Sequence, residues 1–170
     1  RLKQSKYNCD ILIFPGIGSF NSAMKVIKKN NIDQKIKEFL ETKKLLFGIC
    51  LGMQLLFEKS NEFGFTKGLG LIGGNVKNFP KKNFKVPHIG WERLKIVKKN
   101  YFLSNKEYYY FVHSFFCNPK NEKTILTYTN YQGFDYCSSI YHKNIFATQF
   151  HPEKSGRSGL KILKNMKSLI

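Results

Sequence analysis

Arginine is almost absent from this chain: Arg1, Arg93 and Arg157 are the only three, although Lys and Arg together number 29 against 11 acidic residues, a net charge of +18. A charge of that size ordinarily puts nucleic acid or an acidic surface first among partners. Groove readers, however, concentrate arginine or interleave it with exposed aromatics. Here the lysines are scattered singly and in pairs among Asn and Ile, so the excess reads as compositional bias and no nucleic-acid partner is expected. Cysteine is scarce as well. Cys9, Cys50, Cys117 and Cys137 are too few and too far apart for a disulfide scaffold, and none forms a C-x-x-C pair, which excludes a zinc knuckle. The histidines His88, His113, His142 and His151 show no H-E-x-x-H spacing, so no metal site and no cofactor are expected. Long apolar runs are missing too: Ile11 to Phe14 and Leu45 to Phe47 fall far short of the roughly 20 residues that span a bilayer. With no signal peptide at its start, the chain reads as cytoplasmic, without a membrane partner.

What is present is a globular composition, 42% hydrophobic over 170 residues, enough for one domain with a real core. No repeat, low-complexity segment or linker divides it. Cys9 to Phe14 is a β-rich run stopped by Pro15-Gly16, a buried strand entering a turn. Ser19 to Ser22 can cap a helix through Met24, Val26 and Ile27. Ile32, Ile36, Phe39 and Leu40 then recur at helical spacing. Leu45-Leu46-Phe47 is a second buried strand, and Gly48 to Gly52 turns it into a helical stretch expected from Met53 to Lys59. Strand, helix, strand, helix argues for an α/β fold with a mainly parallel sheet flanked by helices. From Gly64 onward Gly68, Gly70, Gly73 and Gly74 punctuate short apolar pieces, and strands become the expectation: Lys95 to Val97, Tyr109 to Val112, Ile125 to Tyr128, Ser139 to Tyr141 and Ile145 to Phe150. This second half should be rich in antiparallel strands. The chain closes with an amphipathic pattern at Leu160, Ile162, Leu163, Met166 and Leu169, a helix expected to pack on the sheet.

The strongest local signal for chemistry is Gly48-Ile49-Cys50-Leu51-Gly52, between a strand and a helix. It is the cysteine form of the nucleophile elbow, where glycines on either side permit a turn that lifts the central side chain into a cleft. At a helix start the thiolate of Cys50 should be favoured by the dipole and by backbone N–H groups, lowering its pKa; the plain alternative is a small buried cysteine at a strand end. A cysteine nucleophile needs a base. In Gln149-Phe150-His151-Pro152-Glu153, extended backbone puts His151 and Glu153 on one side, so the carboxylate can hold the imidazole in one tautomer; alternatively this is a polar turn. Pro15-Gly16-Ile17-Gly18-Ser19 offers N–H groups suited to an oxyanion or a phosphate, or is simply a turn. It lacks the third glycine of a dinucleotide fingerprint and any Gly-Lys-Ser/Thr pair. His88 and His113 sit among aromatics and glycine, read as structural histidines, and have no acidic neighbour to mark them as bases.

Five segments, PGIGSF, GICLGMQLLFEKSNE, KVPHIGW, YFVHSFF and QFHPEKSG, stand in this order along the chain. Together they resemble the class I glutamine amidotransferases, and KVPHIGW with YFVHSFF resembles in particular the glutaminase subunits of imidazole glycerol phosphate synthase. The resemblance runs from about residue 9 to the C-terminus. It implies a flavodoxin-like fold over a single domain, residues 1–170, and hydrolysis of L-glutamine to glutamate and ammonia by a Cys50, His151, Glu153 triad. It implies an oxyanion hole from the backbone of Leu51, Ile17 and Gly18, and substrate contacts at Gly52, Gln54, Glu62, His113, Ser114 and Phe115. The implied partner is a (β/α)₈-barrel cyclase subunit, bound as a heterodimer, that uses the ammonia to make imidazole glycerol phosphate in histidine biosynthesis.

The resemblance also exposes departures. Its members begin with a further strand and helix carrying a Tyr-Gly…Gly-Asn signature, and this chain opens past that unit. Glu92 stands where asparagine is common and Phe115 where tyrosine is common. Glu62-Phe63-Gly64 and Tyr108-Tyr109-Tyr110 keep a second reading open, a paralogous glutaminase feeding ammonia to a surface-sugar amidotransferase. A third, from another class, is a non-catalytic basic binding subunit.

Overall fold

The computed structural model describes residues 8–80 and 84–167. The first half alternates as its periodicity demands: β1 (Ile11–Phe14), α1 (Phe20–Lys29), α2 (Ile32–Glu41), β2 (Leu45–Ile49) and α3 (Leu51–Leu55). Ser19 caps α1 by accepting from the Ser22 N–H, as its place before the first apolar position requires. Met24 and Ile27 are buried in α1, but Val26 points to solvent. β3 (Phe57–Ser60), β4 (Thr66–Lys67), β5 (Ile72–Asn78), β6 (His88–Arg93), β7 (Lys95–Ile96), β8 (Tyr108–His113), β9 (Phe115–Pro119), β10 (Ile125–Tyr131), β11 (Phe134–His142), β12 (Ile145–Thr148) and α4 (Gly156–Lys167) follow.

Ten strands form one sheet, in which β1, β2, β12, β11, β9, β5, β3 and β4 lie side by side in that order, with β10 on β11 and β7 on β10. The edge that carries the elbow is parallel, β1 on β2 and β2 on β12. β11 pairs antiparallel with β12, β9 and β10, and β5 antiparallel with β9. β6 and β8 form a separate antiparallel ribbon. β2 is covered on both faces. Leu46 belongs to a core with Phe20, Met24, Ile36, Met53 and Leu55, whereas its neighbour Phe47 belongs to a second core with Phe111, Phe146, Phe150, Ile162 and Met166. Successive side chains of a strand point to opposite faces, so one strand ties the two cores together. Phe47, Phe146 and Phe102 stack in series at centroid distances of 4.9 and 4.5 Å.

Two expectations are corrected. The helix expected from Met53 to Lys59 stops at Leu55, and Phe57 begins β3. Leu55-Leu56-Phe57 is fully buried, and an apolar run with no polar face does not distinguish a helix from a central strand. In α4, Ile162 and Met166 are buried but Leu160 and Leu163 are exposed, so the packed stripe is narrower than the pattern indicated; Leu169 lies outside the described residues. β5, β6 and β9 were not expected as strands, because Gly73-Gly74, Gly90 and Pro119 carry weak strand propensity that pairing overrides. No helix among the described residues is long and apolar enough to cross a membrane.

Candidate active site

Cys50 follows the last residue of β2 and opens α3. Its φ of 52° and ψ of −109° are a strained backbone conformation for a residue with a side chain. The surroundings enforce it. The Cys50 N–H donates to the Thr148 carbonyl at 2.8 Å, and its carbonyl accepts from the Gln54 N–H at 3.2 Å, so both sides of the turn are fixed. The flanking glycines are needed for close approach: a Cβ on Gly52 would fall 1.8 Å from the Phe14 carbonyl oxygen, and one on Gly48 within 3.1 Å of Ala147 and Leu56. Strand, elbow and helix therefore pack as the G-x-C-x-G spacing requires.

The elbow delivers Cys50 into a cavity of about 320 Å³ lined by Gly16, Ile17 and Gly18 on one side and Val112 to Phe115 on another, with Leu51, Gln54, Glu62, Pro87, His151 and Lys154 completing the wall. The Cys50 thiol donates to the Val112 carbonyl at 3.8 Å and accepts from Gln149 Nε2 at 3.7 Å. Its pKa is pushed up to about 11, chiefly by burial and further by the Glu153 carboxylate. The Leu51 N–H, Gln149 and Lys154 pull it down by less. This corrects the expectation of a lowered value. Desolvation of a charged sulfur outweighs a few well-placed donors, and α3 is only five residues long. At rest Cys50 is therefore a neutral thiol.

His151 lines the same cavity. Its N–H donates to the Tyr110 carbonyl at 2.9 Å, and its carbonyl accepts from Ser155 Oγ at 2.6 Å. Ser155 Oγ in turn accepts from the Tyr110 N–H at 3.0 Å. β8 thus clamps the His151 backbone. Nδ1 lies 2.6 Å from Glu153 Oε1 across a turn of 3₁₀ helix at Pro152–Lys154. A carboxylate accepts, so Nδ1 carries a proton, and in a neutral ring the lone pair would sit on Nε2.

The other expected residues divide. Glu62 is buried, and its Oε2 accepts from the Phe20 N–H at 2.7 Å, so a single carboxylate both holds the start of α1 and faces the cavity. Gln54 donates from Nε2 to the Phe115 carbonyl at 2.9 Å and to Gln149 Oε1 at 3.1 Å. Ser114 and Phe115 line the cavity beside His113. Gly18 adopts a φ of 87° in the loop opposite. Gly52 does not line the cavity; its part is to let α3 pass the Phe14 carbonyl. Gln149, absent from the expected residues, bridges Gln54 to the thiol. Its position directly after β12 and two residues before His151 is the signal. His88, expected to lack an acidic neighbour, has one: Glu92 Oε1 stands 3.8 Å from His88 Nε2. Among the described residues no group of three or more His, Cys, Asp or Glu is arranged to hold a metal ion.

A family model for glutamine amidotransferase class-I matches residues 2–168. The imidazole glycerol phosphate synthase subunit HisH of Caldanaerobacter subterraneus subsp. tengcongensis is 47% identical over 166 residues, covering 96% of this chain and 81% of that protein. Its counterpart from Aquifex aeolicus is 45% identical over 161 residues, covering 93% and 77%. Among solved structures, that of PurLQS from Thermotoga maritima is similar with a TM-score of 0.74 at 18% identity, covering 99% of this chain and 83% of that one, a likeness of fold. The chain belongs to the class I glutamine amidotransferases, and within them to the family of the imidazole glycerol phosphate synthase subunit HisH.

Proposed function

We propose that this glutamine amidotransferase subunit hydrolyses L-glutamine with Cys50 as nucleophile, His151 as general base and acid and Glu153 as the group that orients His151, and passes the ammonia to a (β/α)₈-barrel cyclase subunit forming imidazole glycerol phosphate in histidine biosynthesis. The observation that carries the reading is one cavity holding both the elbow cysteine and an imidazole whose Nδ1 is 2.6 Å from a carboxylate.

Hydrolysis by these residues proceeds through two proton-coupled halves. His151 Nε2 accepts the thiol proton, and the thiolate attacks the side-chain amide carbon of glutamine. The oxygen of the tetrahedral intermediate takes the negative charge and meets the Leu51 N–H, with the Ile17 and Gly18 loop opposite. Losing one such donor typically costs about 100- to 1000-fold. The C–N bond then breaks as the imidazolium returns its proton to nitrogen, so ammonia leaves and a γ-glutamyl thioester remains on Cys50. His151 next takes a proton from water, the resulting hydroxide attacks the thioester, and glutamate departs as the thiol is restored. The buried carboxylate of Glu62 suits the α-ammonium of glutamine, and the backbone from His113 to Phe115 its carboxylate.

Support for the partner comes from the β6–β8 ribbon beside the cavity. Ile89 and Trp91 project outward from β6 and are exposed, with Val86 and Tyr108 exposed nearby. Trp91 packs edge-on against Tyr110, over which the Lys154 ammonium also sits, 5.9 Å from the ring centroid. Exposed apolar groups gathered at one rim mark an interaction surface. The relatives named above are subunits of imidazole glycerol phosphate synthase, which favours the cyclase over a sugar-amidating acceptor. The test mixes the chain with a cyclase subunit and follows glutamate release for wild type and Cys50→Ala. Turnover lost with the thiol is expected. Turnover kept by Cys50→Ala would overturn the catalytic assignment, and a chain that neither binds the cyclase nor responds to it would overturn the partner.

A further inference from the structure

A second polar chain, which the steps above do not use, runs inward from the β6–β8 ribbon to the active site. His113, at the end of β8, faces His88 across the ribbon. His113 Nδ1 lies 2.8 Å from the Phe115 carbonyl oxygen. A carbonyl can only accept, so Nδ1 carries the proton. Burial holds this ring neutral, its pKa drawn down to about 3, and its Nε2 therefore presents a lone pair. Tyr136 Oη stands 3.2 Å from that Nε2 and must donate to it. Its single proton is then committed inward, and toward His88 Nδ1, also 3.2 Å away, the phenol can only accept. His88 Nδ1 consequently carries its ring's proton. That ring is completely buried, sandwiched between Tyr131 and Phe111 at centroid distances of 3.8 and 5.3 Å. Its Nε2 is left as a lone pair with no hydrogen-bond partner among the described residues, 3.8 Å from Glu92 Oε1.

The inner end matters for chemistry. The Phe115 carbonyl that accepts from His113 also accepts from Gln54 Nε2, the same amide donates to Gln149 Oε1, and Gln149 Nε2 donates to Cys50 Sγ. Each link fixes the orientation of the next, because an amide that spends its N–H groups on two acceptors has one way to face. We propose that His88, Tyr136 and His113 are positioning residues for glutamine hydrolysis: a one-way series of hydrogen bonds that pins the Phe115 carbonyl and, through Gln54 and Gln149, the N–H that meets the nucleophilic sulfur. The inference rests on the glutaminase reading of this cavity and extends it to three side chains that act through the Phe115 carbonyl; the substrate contact proposed for His113 is made by its backbone.

Two readouts test it, both on the intact chain. The ¹⁵N shifts of the ring nitrogens report tautomers directly. At pH 7 His88 and His113 are both expected as neutral rings protonated on Nδ1; in Tyr136→Phe, His88 loses its acceptor and is expected to move its proton to Nε2, toward Glu92. With the cyclase subunit present, Tyr136→Phe should lower kcat/KM for glutamine about tenfold, a loss the size of one buried hydrogen bond's contribution to stability. His113→Asn, whose amide can still donate to the Phe115 carbonyl, should retain more activity than His113→Leu. Either histidine protonated on Nε2 in the wild type would reverse the direction of donation and overturn the proposal. So would a folded Tyr136→Phe with unchanged kcat/KM, or equal losses in the two His113 variants. The wild-type tautomers decide the matter even where a variant does not fold. A wild-type complex that releases no glutamate would refute the glutaminase reading instead, and leaves the tautomer test standing.

Discussion

If burial rather than the elbow's donors governs Cys50, its alkylation should be slow and steeply dependent on pH. The thiol is raised from the ordinary 9.0 to about 11, equivalent to about 2.7 kcal/mol against the thiolate. At pH 8 an ordinary thiol is about one-tenth ionised and Cys50 about one-thousandth, a hundredfold deficit in the reactive form. The more basic sulfur is intrinsically the better nucleophile, which returns roughly 6- to 10-fold. Iodoacetamide should therefore modify Cys50 at least about tenfold more slowly than a surface thiol, before any cost of reaching into the cavity. Cys9 is exposed and serves as the reference within the same molecule, while Cys117 and Cys137 are buried. Peptide mass spectrometry resolves each site. The Cys50 rate should rise about tenfold per pH unit to beyond pH 10, as expected while the thiolate fraction is small. A midpoint below pH 8, with Cys50 outpacing Cys9, would refute the reasoning and mean that the Leu51 N–H and α3 hold a preformed thiolate.

Acid should destabilise the fold through the buried imidazoles. His88 and His113 fall from 6.5 to about 4 and about 3 because burial disfavours their charged forms. Between those values and 6.5 the unfolded chain binds more protons, so stability is intact above pH 6.5 and is lost as pH falls toward 4. At pH 5 the loss amounts to about 2 kcal/mol per ring, about 4 kcal/mol for both; urea midpoints equal at pH 5 and pH 7 would contradict it. Glu153→Gln should cut kcat about 100-fold with little change in glutamine KM, since it removes the group that keeps the His151 proton on Nδ1; an unchanged kcat would show that the 2.6 Å contact has no catalytic part. Gly52→Ala puts a Cβ 1.8 Å from the Phe14 carbonyl and should cost about 3 kcal/mol or more, readable as a lowered Tm; a Tm within a degree of wild type would show that α3 can shift away from β1.

The elbow was legible because its chemistry is written in adjacent residues. G-x-C-x-G after an apolar run dictates strand, strained turn and helix, and the close approach at Gly52 is its physical content. In H-P-E the pairing of His151 with Glu153 was legible but its reason was not: the expected extended backbone is a 3₁₀ turn at Pro152–Lys154, and the two side chains meet across that turn. Sequence did not reveal what long-range pairing decides. Phe57–Ser60 became a strand because β5 lies alongside it, and the thiol's pKa follows from walls contributed by β8 and the Gly16 loop. His88 and His113 read as structural histidines from their aromatic neighbours, and both are indeed buried. Tyr136, which joins them, sits on β11, and no local spacing could have linked the three.

The most direct test of the central claim is to find where glutamine becomes covalently attached. The chain, complexed with a cyclase subunit and turning over glutamine, is quenched in acid and its cysteine peptides are analysed by mass spectrometry. The account predicts a γ-glutamyl thioester on the peptide containing Cys50, accumulating when His151 is replaced by a residue that still permits acylation at high pH, and absent from Cys50→Ala. Steady glutamate release with no acyl group on Cys50, or with the acyl group on Cys9, Cys117 or Cys137, would contradict it.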